Sequence, residues 1–316
     1  MQLNLREQSK EPDLLTAGHH LCPGCIEPVV VRQVLRVTGP NTVVVAATGC
    51  LSVSSTPYPF TAWRVPWIHS LFENAAATVT GVEAAYKSLA KTGRIDTTQP
   101  VNFVVFGGDG GTFDIGFQAL SGAMERRHRF LYVCLNNEAY MNTGTQRSSA
   151  TLPGTWTTTS PVHDGVPGKL EPRKDLTAII AAHGAPFVAQ ASPHLWKDLT
   201  RKLQKAVATD GPTFINVLVS CPRGWRTDAE LGVHLGRVAV ETCVWPIYEV
   251  DNGVWKLNAR PREKKPITEW LKLQGRFAHL LRPEGVLDVE RIQSGVDRSW
   301  EALLERCSAP SDQRQR

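Results

Sequence analysis

An α/β fold, a parallel sheet flanked by helices, follows from three features of the sequence. Apolar stretches at 43–47, 101–106, 130–135, 187–190 and 213–219 have the length and composition of strands buried on both faces. Helix-forming stretches at 28–36, 74–91, 115–126, 175–182 and 194–209 lie among them. Strand and helix alternate, and right-handed crossovers then place the carboxyl ends of the parallel strands on one sheet edge.

Each element has its own local reason. Pro28 occupies the first turn of the 28–36 helix, where a missing N–H costs nothing. The 74–91 helix is small along one face, at Ala75, Ala76, Ala77, Gly81, Ala84 and Ala85, and ends before Gly93, so it is expected to pack closely on a sheet or a partner helix. Between them, the 56–67 segment mixes Pro57, Pro59 and Pro66 with Tyr58, Phe60, Trp63 and Trp67. Its prolines exclude regular helix, leaving an ordered surface loop or subunit contact, or two tryptophans that are ordinary core anchors. The 138–172 stretch, rich in Thr, Ser, Gly and Pro, is too polar for a core and too long for a simple connector, which marks it as functional. Beyond Trp225 the pattern loosens into a hairpin around Asp251-Asn252-Gly253, a helix at 266–281 lying outside the core and a terminal helical element at 286–307 interrupted by Gly295. The expected organisation is a main unit of residues 1–225, an irregular C-terminal extension of 226–307 packing on it or on a partner, and a disordered tail of 308–316.

Composition narrows the classes of function. With 42 % hydrophobic residues among 316, the chain builds a sizeable core. Its 35 basic and 30 acidic residues are too balanced for nucleic-acid binding. The one basic cluster, Arg260-Pro261-Arg262-Glu263-Lys264-Lys265, is a solvated connector or a docking point for an acidic electron carrier. No apolar run of about 18 residues and no signal peptide is present, so a soluble cytoplasmic protein without membrane contact is expected. Seven cysteines without a secretory signal point to metal or redox chemistry instead of disulfides.

Gly107-Gly108-Asp109-Gly110-Gly111 ends one buried strand, and Asn136-Asn137 ends the next. A carboxylate and an amide oxygen are hard ligands that suit Mg2+, and the glycines let backbone N–H groups approach phosphate oxygens. The crossover brings Asp109 and Asn137 to the same edge. Cys22-Pro23-Gly24-Cys25 places two thiols on one turn, while Cys50 and Cys221 each follow a strand. On spacing alone these four hold zinc or an iron-sulfur cluster, or Cys50 and Cys221 are buried free thiols. Cys134, Cys243 and Cys307 read as structural.

The Gly-Asp-Gly and Asn-Asn pair resembles the thiamin-diphosphate signature. The ordered blocks Gly18-His19, Cys22-x-x-Cys25, Thr48-Gly49-Cys50, Pro66-Trp67-Ile68-His69, Gly108 to Gly111, Asn137-Glu138-Ala139-Tyr140-Met141-Asn142-Thr143-Gly144 and Cys221-Pro222-x-Gly224-Trp225 resemble the beta subunit of pyruvate:ferredoxin oxidoreductase. The resemblance runs over nearly the whole chain. It implies a thiamin-diphosphate-binding fold, with Mg2+ held by Asp109, Asn137 and the carbonyl of Ala139. It implies one 4Fe-4S cluster on Cys22, Cys25, Cys50 and Cys221. Glu27 and Cys50 then lie near the cofactor, Gly108, Gly110, Gly111 and 138–142 wrap it, Asn142 offers an amide, and His69 is a further contributor. The family commonly has Gly after the second cysteine of the turn; here Ile26 stands there, which puts the local backbone angle in question.

The same resemblance implies oxidative decarboxylation of a 2-oxo acid, with coenzyme A taking the acyl group and electrons leaving through the cluster to ferredoxin. Pyruvate is the expected substrate. Oxalate, which needs no coenzyme A, is the alternative within the class, and a non-redox thiamin enzyme with structural zinc the alternative outside it. The chain lacks the cysteine run of a two-cluster ferredoxin. It also lacks the glutamate that activates the cofactor's aminopyrimidine, which in the family comes from the alpha subunit. Alpha and further gamma or delta subunits are therefore expected partners.

Overall fold

The computed structural model describes residues 4–308. In chain order the strands are β1 (Thr42–Ala47), β2 (Trp67–Ser70), β3 (Asn102–Gly108), β4 (Phe130–Asn136), the small pair β5 (Val162–His163) and β6 (Val166–Pro167), then β7 (Phe187–Ala191), β8 (Pro212–Leu218), β9 (Ile247–Asp251) and β10 (Val254–Ala259). Eight of them form one sheet in the order β10-β9-β7-β8-β4-β3-β1-β2. From β7 to β2 every pairing is parallel; β9 and β10 extend the β7 edge as an antiparallel hairpin. Thus the carboxyl ends of β1, β3, β4 and β8 share one edge, as the alternation predicts.

The helices are α1 (Leu5–Gln8), α2 (Glu27–Thr38), α3 (Cys50–Ser55), α4 (Ala75–Lys91), α5 (Phe117–Glu125), α6 (Leu176–Ala182), α7 (Trp196–Ala208), α8 (Pro222–Trp225), α9 (Gly232–Glu241), α10 (Thr268–Leu271) and α11 (Val286–Ser308). Side chains alternate across the sheet, so each strand feeds two cores. Val44, Val104, Leu131 and Ile215 pack beneath α2 and α7. On the other face Val45, Val105, Tyr132 and Phe214 meet α4, α5, α6, α9 and α11. None of the described helices is long and apolar enough to cross a membrane.

Four departures from the sequence reading have clear causes. Trp67 begins an edge strand, because Pro66 has only to offer its carbonyl to the N–H of Val44, at 2.9 Å, and an edge tolerates proline. In the same segment, of the two readings left open for Trp63 the core anchor is the one observed, its indole N–H donating to Ser55, while Tyr58 and Phe60 are exposed. Gly295 does not interrupt the last helix: its cost of about 1 kcal/mol is offset by the stripe Ile292, Val296, Trp300 and Leu303 on the core. That helix includes Ser308, so only 309–316 of the expected tail lies outside the described residues. The 266–281 stretch gives one α turn and then a 3-10 segment, Gly275–Leu281, bent where Gly275 N–H meets the Arg226 carbonyl at 3.0 Å, and it is not outside the core but part of it, since Ile267, Trp270, Leu271, Phe277 and Leu280 are buried there.

The small face of α4 is in fact two faces. Ala75 and Ala76 are buried against the sheet, while Ala77, Gly81, Ala84 and Ala85 are exposed.

Candidate active site

The strand ends converge as the motif requires. Asp109, fully buried, follows β3; one carboxylate oxygen accepts the Asn137 backbone N–H at 3.1 Å and the other the Ser148 hydroxyl at 2.5 Å. Burial pushes its pKa up to about 7, countered by Ser148 and the Asn137 N–H. Helical winding begins immediately, as a π-helical turn over Gly110–Ile115, not at 115 as the pattern predicts. Gly110 is dictated by contact, because a Cβ there would lie 2.4 Å from the Tyr140 ring, whose hydroxyl donates to the Gly110 carbonyl at 2.8 Å.

A narrow cleft opens at this edge. Its walls include Gly108, Gly110 and Gly111 from one side, and Asn137, Ala139, Tyr140, Met141 and Asn142 from another; Glu27 and Cys50 close a third. Every expected cofactor residue except Asp109 and Glu138 lines it, and Asp109 is held directly to Asn137. The donor set fits a magnesium diphosphate. Asn137 Oδ1 is buried with no hydrogen-bond partner among the described residues, a hard oxygen that a cation satisfies. Its amide nitrogen donates to Glu27 at 3.3 Å, and the second Glu27 oxygen is likewise buried and unpartnered. Burial raises the Glu27 pKa to about 7.

The four cysteines approach the same cleft. Cys25 N–H closes the turn onto the Cys22 carbonyl at 3.0 Å, with Gly24 at φ 79° pressed against Ala229. Ile26 is in an ordinary right-handed conformation, φ −87°, so the position that demands glycine is Gly24 and the substitution after Cys25 is harmless. Cys50 opens α3 and shares the cleft wall with Asn142, whose side chain lowers the Cys50 pKa against the effect of burial. The Cys221 sulfur accepts the Gly224 N–H at 3.3 Å. Burial raises the thiols of Cys25, Cys50 and Cys221, Cys50 to about 12, and the negative charges of Glu27 and of the other cysteines raise them further. The charges of neighbouring cysteines reach each of these three sulfurs, which places them in one region of the fold. Yet among the described residues no three His, Cys, Asp or Glu side chains gather tightly enough to hold a single ion. Cys134 and Cys243 are buried in the core, and Cys307 is half-buried on α11.

Two expected contributors lie elsewhere. The Glu138 carboxylate turns away from the cleft and is gripped by Arg173 and, at 2.6 Å, by Arg276. Its backbone, at φ 66°, makes the turn that presents Ala139. His69 is exposed at the rim, and its ring meets the Thr48 hydroxyl at 2.8 Å. Thr48, Gly49, Phe72 and Thr143 complete the cleft wall. Phe72 and Ser148 carry no local motif, and only the fold brings them there. In the basic cluster Lys264 pairs with Asp297 and Lys265 with Glu241, so half of its positive charge is neutralised within the chain.

Sheet, cleft and glycine-rich turn together define a thiamin-diphosphate-binding enzyme domain, and the family model of the thiamine pyrophosphate enzyme C-terminal TPP binding domain matches residues 47–217. Pyruvate synthase subunit PorB of Thermotoga maritima is 47% identical over 312 residues, covering 96% of each chain. Its counterpart in Methanothermobacter thermautotrophicus is 50% identical over 287 residues, 91% of this chain and 96% of that one. Ketoisovalerate oxidoreductase subunit VorB of Pyrococcus abyssi is 41% identical over 91% of both. The fold is shared with a 2-oxoglutarate:ferredoxin oxidoreductase from Magnetococcus marinus, at TM-score 0.54 and 22% identity over 69% of this chain and 77% of that one. The chain belongs to the pyruvate synthase subunit PorB family.

Proposed function

We propose that this chain is the catalytic beta subunit of a pyruvate:ferredoxin oxidoreductase, converting pyruvate and coenzyme A to acetyl-CoA and CO2 while passing electrons to ferredoxin. One observation carries the reading: the cleft that contains the diphosphate residues also contains Cys50, so the cofactor and the cysteine site adjoin. Thiamin diphosphate, when bound, supplies the nucleophilic carbon and the electron sink for decarboxylation. Asp109, Asn137 and the Ala139 carbonyl hold its Mg2+; Gly110, Gly111 and Tyr140 shape the wall against the diphosphate. Cys22, Cys25, Cys50 and Cys221 hold a 4Fe-4S cluster, a one-electron acceptor beside the reacting carbon. Asn142, on the same cleft wall as Cys50, offers its amide to the cofactor.

The site is completed by a partner. Val53, Tyr58, Phe60, Leu71 and Ile115 are exposed apolar side chains, and the small face of α4 is exposed as well. Such surface is covered in an assembly, and we assign it to the alpha subunit that brings the missing glutamate. Relatives named for pyruvate and for ketoisovalerate both align over nine-tenths of the chain. This chain thus supplies the shared chemistry, and the partner selects the 2-oxo acid. The same reading places the enzyme in the cytoplasm.

Anaerobic reconstitution tests this. The co-purified complex should reduce a viologen on addition of pyruvate only when coenzyme A is present, and the isolated chain should not turn over. Its spectrum should carry a broad band near ~400 nm that bleaches on reduction and is lost in Cys221→Ser but kept in Cys243→Ser. Stoichiometric zinc without that band would sink the redox reading, and turnover on oxalate without coenzyme A would reassign the substrate.

A further inference from the structure

A cavity of about 560 Å3 lies between the sheet face, the 152–176 segment and α11, apart from the cofactor cleft. Its floor is unusual for a sheet interior: Asn136 of β4, Asn216 of β8 and Gln190 of β7 replace apolar side chains. They form a relay, Asn136 Nδ2 to Asn216 Oδ1 at 3.3 Å, Asn216 Nδ2 to Thr177 at 3.2 Å, Thr177 to Gln190 Oε1 at 3.3 Å, and Gln190 Nε2 to the Pro246 carbonyl at 2.9 Å. Each amide nitrogen retains a second hydrogen beyond the bond it makes.

Six Lys and Arg side chains line the walls; Arg173 pairs with Glu138, Lys174 with Asp114, Arg291 with Asp288 and Arg306 with Asp175, which leaves Lys169 and Arg298 as the cations without an ion pair among the described residues. Lys169 is 1% exposed, and its ammonium donates to the carbonyls of Thr151 at 2.6 Å and Pro172 at 3.4 Å. Among the described residues it has no carboxylate within ion-pair distance, and burial lowers its pKa to about 8. A buried ammonium without a counterion is costly, and an anion reaching it from the cavity would offset that cost. On α11, Arg291 and Arg298 line the mouth; Leu152, Pro153, Trp245 and Ile292 supply an apolar wall. The volume is that of a small-molecule site and far exceeds a bare anion.

We propose that this cavity binds a nucleoside phosphate, its phosphates on Lys169 and the arginines of α11 and its base against the apolar wall and the amide floor. The site touches the cofactor turn. Arg173, on its wall, grips Glu138, and Asn136 Oδ1 accepts the Glu138 N–H at 3.1 Å. Occupancy is therefore linked to the turn that carries Asn137 and Ala139, and the linkage is reciprocal.

The test uses the assembled complex, saturated with thiamin diphosphate, Mg2+ and coenzyme A, titrated calorimetrically with ADP, pyrophosphate and adenosine. ADP should bind at one saturable site per chain, more tightly than either fragment. Arg291→Ala with Arg298→Ala should weaken it about tenfold. Ser299→Trp, at an exposed position of the cavity lining, should abolish binding while leaving the melting temperature unchanged. In the parent complex ADP should also shift the affinity for thiamin diphosphate, and Ser299→Trp should remove that shift. Absence of saturable ADP binding, binding untouched by both variants, or pyrophosphate binding as tightly as ADP overturns the site. An affinity for thiamin diphosphate indifferent to ADP overturns the linkage.

Discussion

The carboxylate of Asp109 accepts the backbone N–H of Asn137 at 3.1 Å, tying the end of β3 to the end of β4. This bond fixes the spacing of the two side chains that we propose hold Mg2+ before any metal arrives. Because Ser148 occupies the other carboxylate oxygen, Asp109→Ala would strand two buried donors and confuse folding with binding. Asp109→Asn separates them: it keeps shape and removes charge. We expect Mg2+-dependent retention of thiamin diphosphate to fall on the order of 100-fold, while cluster absorbance and melting change little. Retention equal to the parent, by equilibrium dialysis with and without Mg2+, would remove Asp109 from the metal site.

Gly110 and Tyr140 are matched by contact. Gly110→Ala drives a Cβ into the Tyr140 ring and should cost about 1–3 kcal/mol along with cofactor retention. Tyr140→Ala in the same chain opens the space and should recover much of the lost stability, though not the hydrogen bond to the Gly110 carbonyl. Chemical denaturation of the parent, both singles and the double variant decides the matter; a double variant no better than Gly110→Ala would place the strain elsewhere.

The buried strands and the convergence of Asp109 with Asn137 were legible because both follow from local pattern and one topological rule. Cleft residues such as Tyr140 and Met141 were legible by adjacency to that motif. Ser148 was not, since its approach to Asp109 depends on the path of a long polar loop. The edge strand at Trp67 was hidden by Pro66, which signals a break unless the neighbouring strand is known. The sequence puts Glu138 in the cleft by its position between Asn137 and Ala139; the left-handed turn that sets Ala139 on the cleft wall swings the Glu138 side chain toward two arginines far apart in sequence.

Acid sensitivity should trace in part to His194. Burial, reinforced by the Arg237 charge, pushes its pKa down from 6.5 to about 4, and its Nδ1 meets the Ser192 hydroxyl at 2.9 Å. A folded-state pKa below the unfolded value means that the unfolded chain binds the proton first as pH falls. Stability from this group is thus complete above about 6.5 and is lost progressively as pH falls toward 4. His194→Gln should flatten the melting temperature across that window and leave it little changed at neutral pH. An identical acid limb in both proteins would assign the loss to other groups.

Arg276 is fully buried, lies with its guanidinium 4.1 Å from the Trp225 ring centroid and pairs with Glu138 at 2.6 Å. Trp225 in turn donates its indole N–H to the Asn137 carbonyl at 2.7 Å, so the pair supports the Asn137–Ala139 turn from behind on two paths. Removing one partner leaves a buried charge with less compensation, and Arg276→Ala or Glu138→Gln should each cost about 3–5 kcal/mol. The double variant Arg276→Ala/Glu138→Gln should cost less than the two singles combined, by about 2 kcal/mol, because the partners answer each other. Urea denaturation of the four proteins gives the coupling directly, and cofactor retention should weaken in both singles. Strict additivity would mean that Arg173 alone satisfies Glu138 and that Arg276 serves only as packing for Trp225, Trp270 and Phe277.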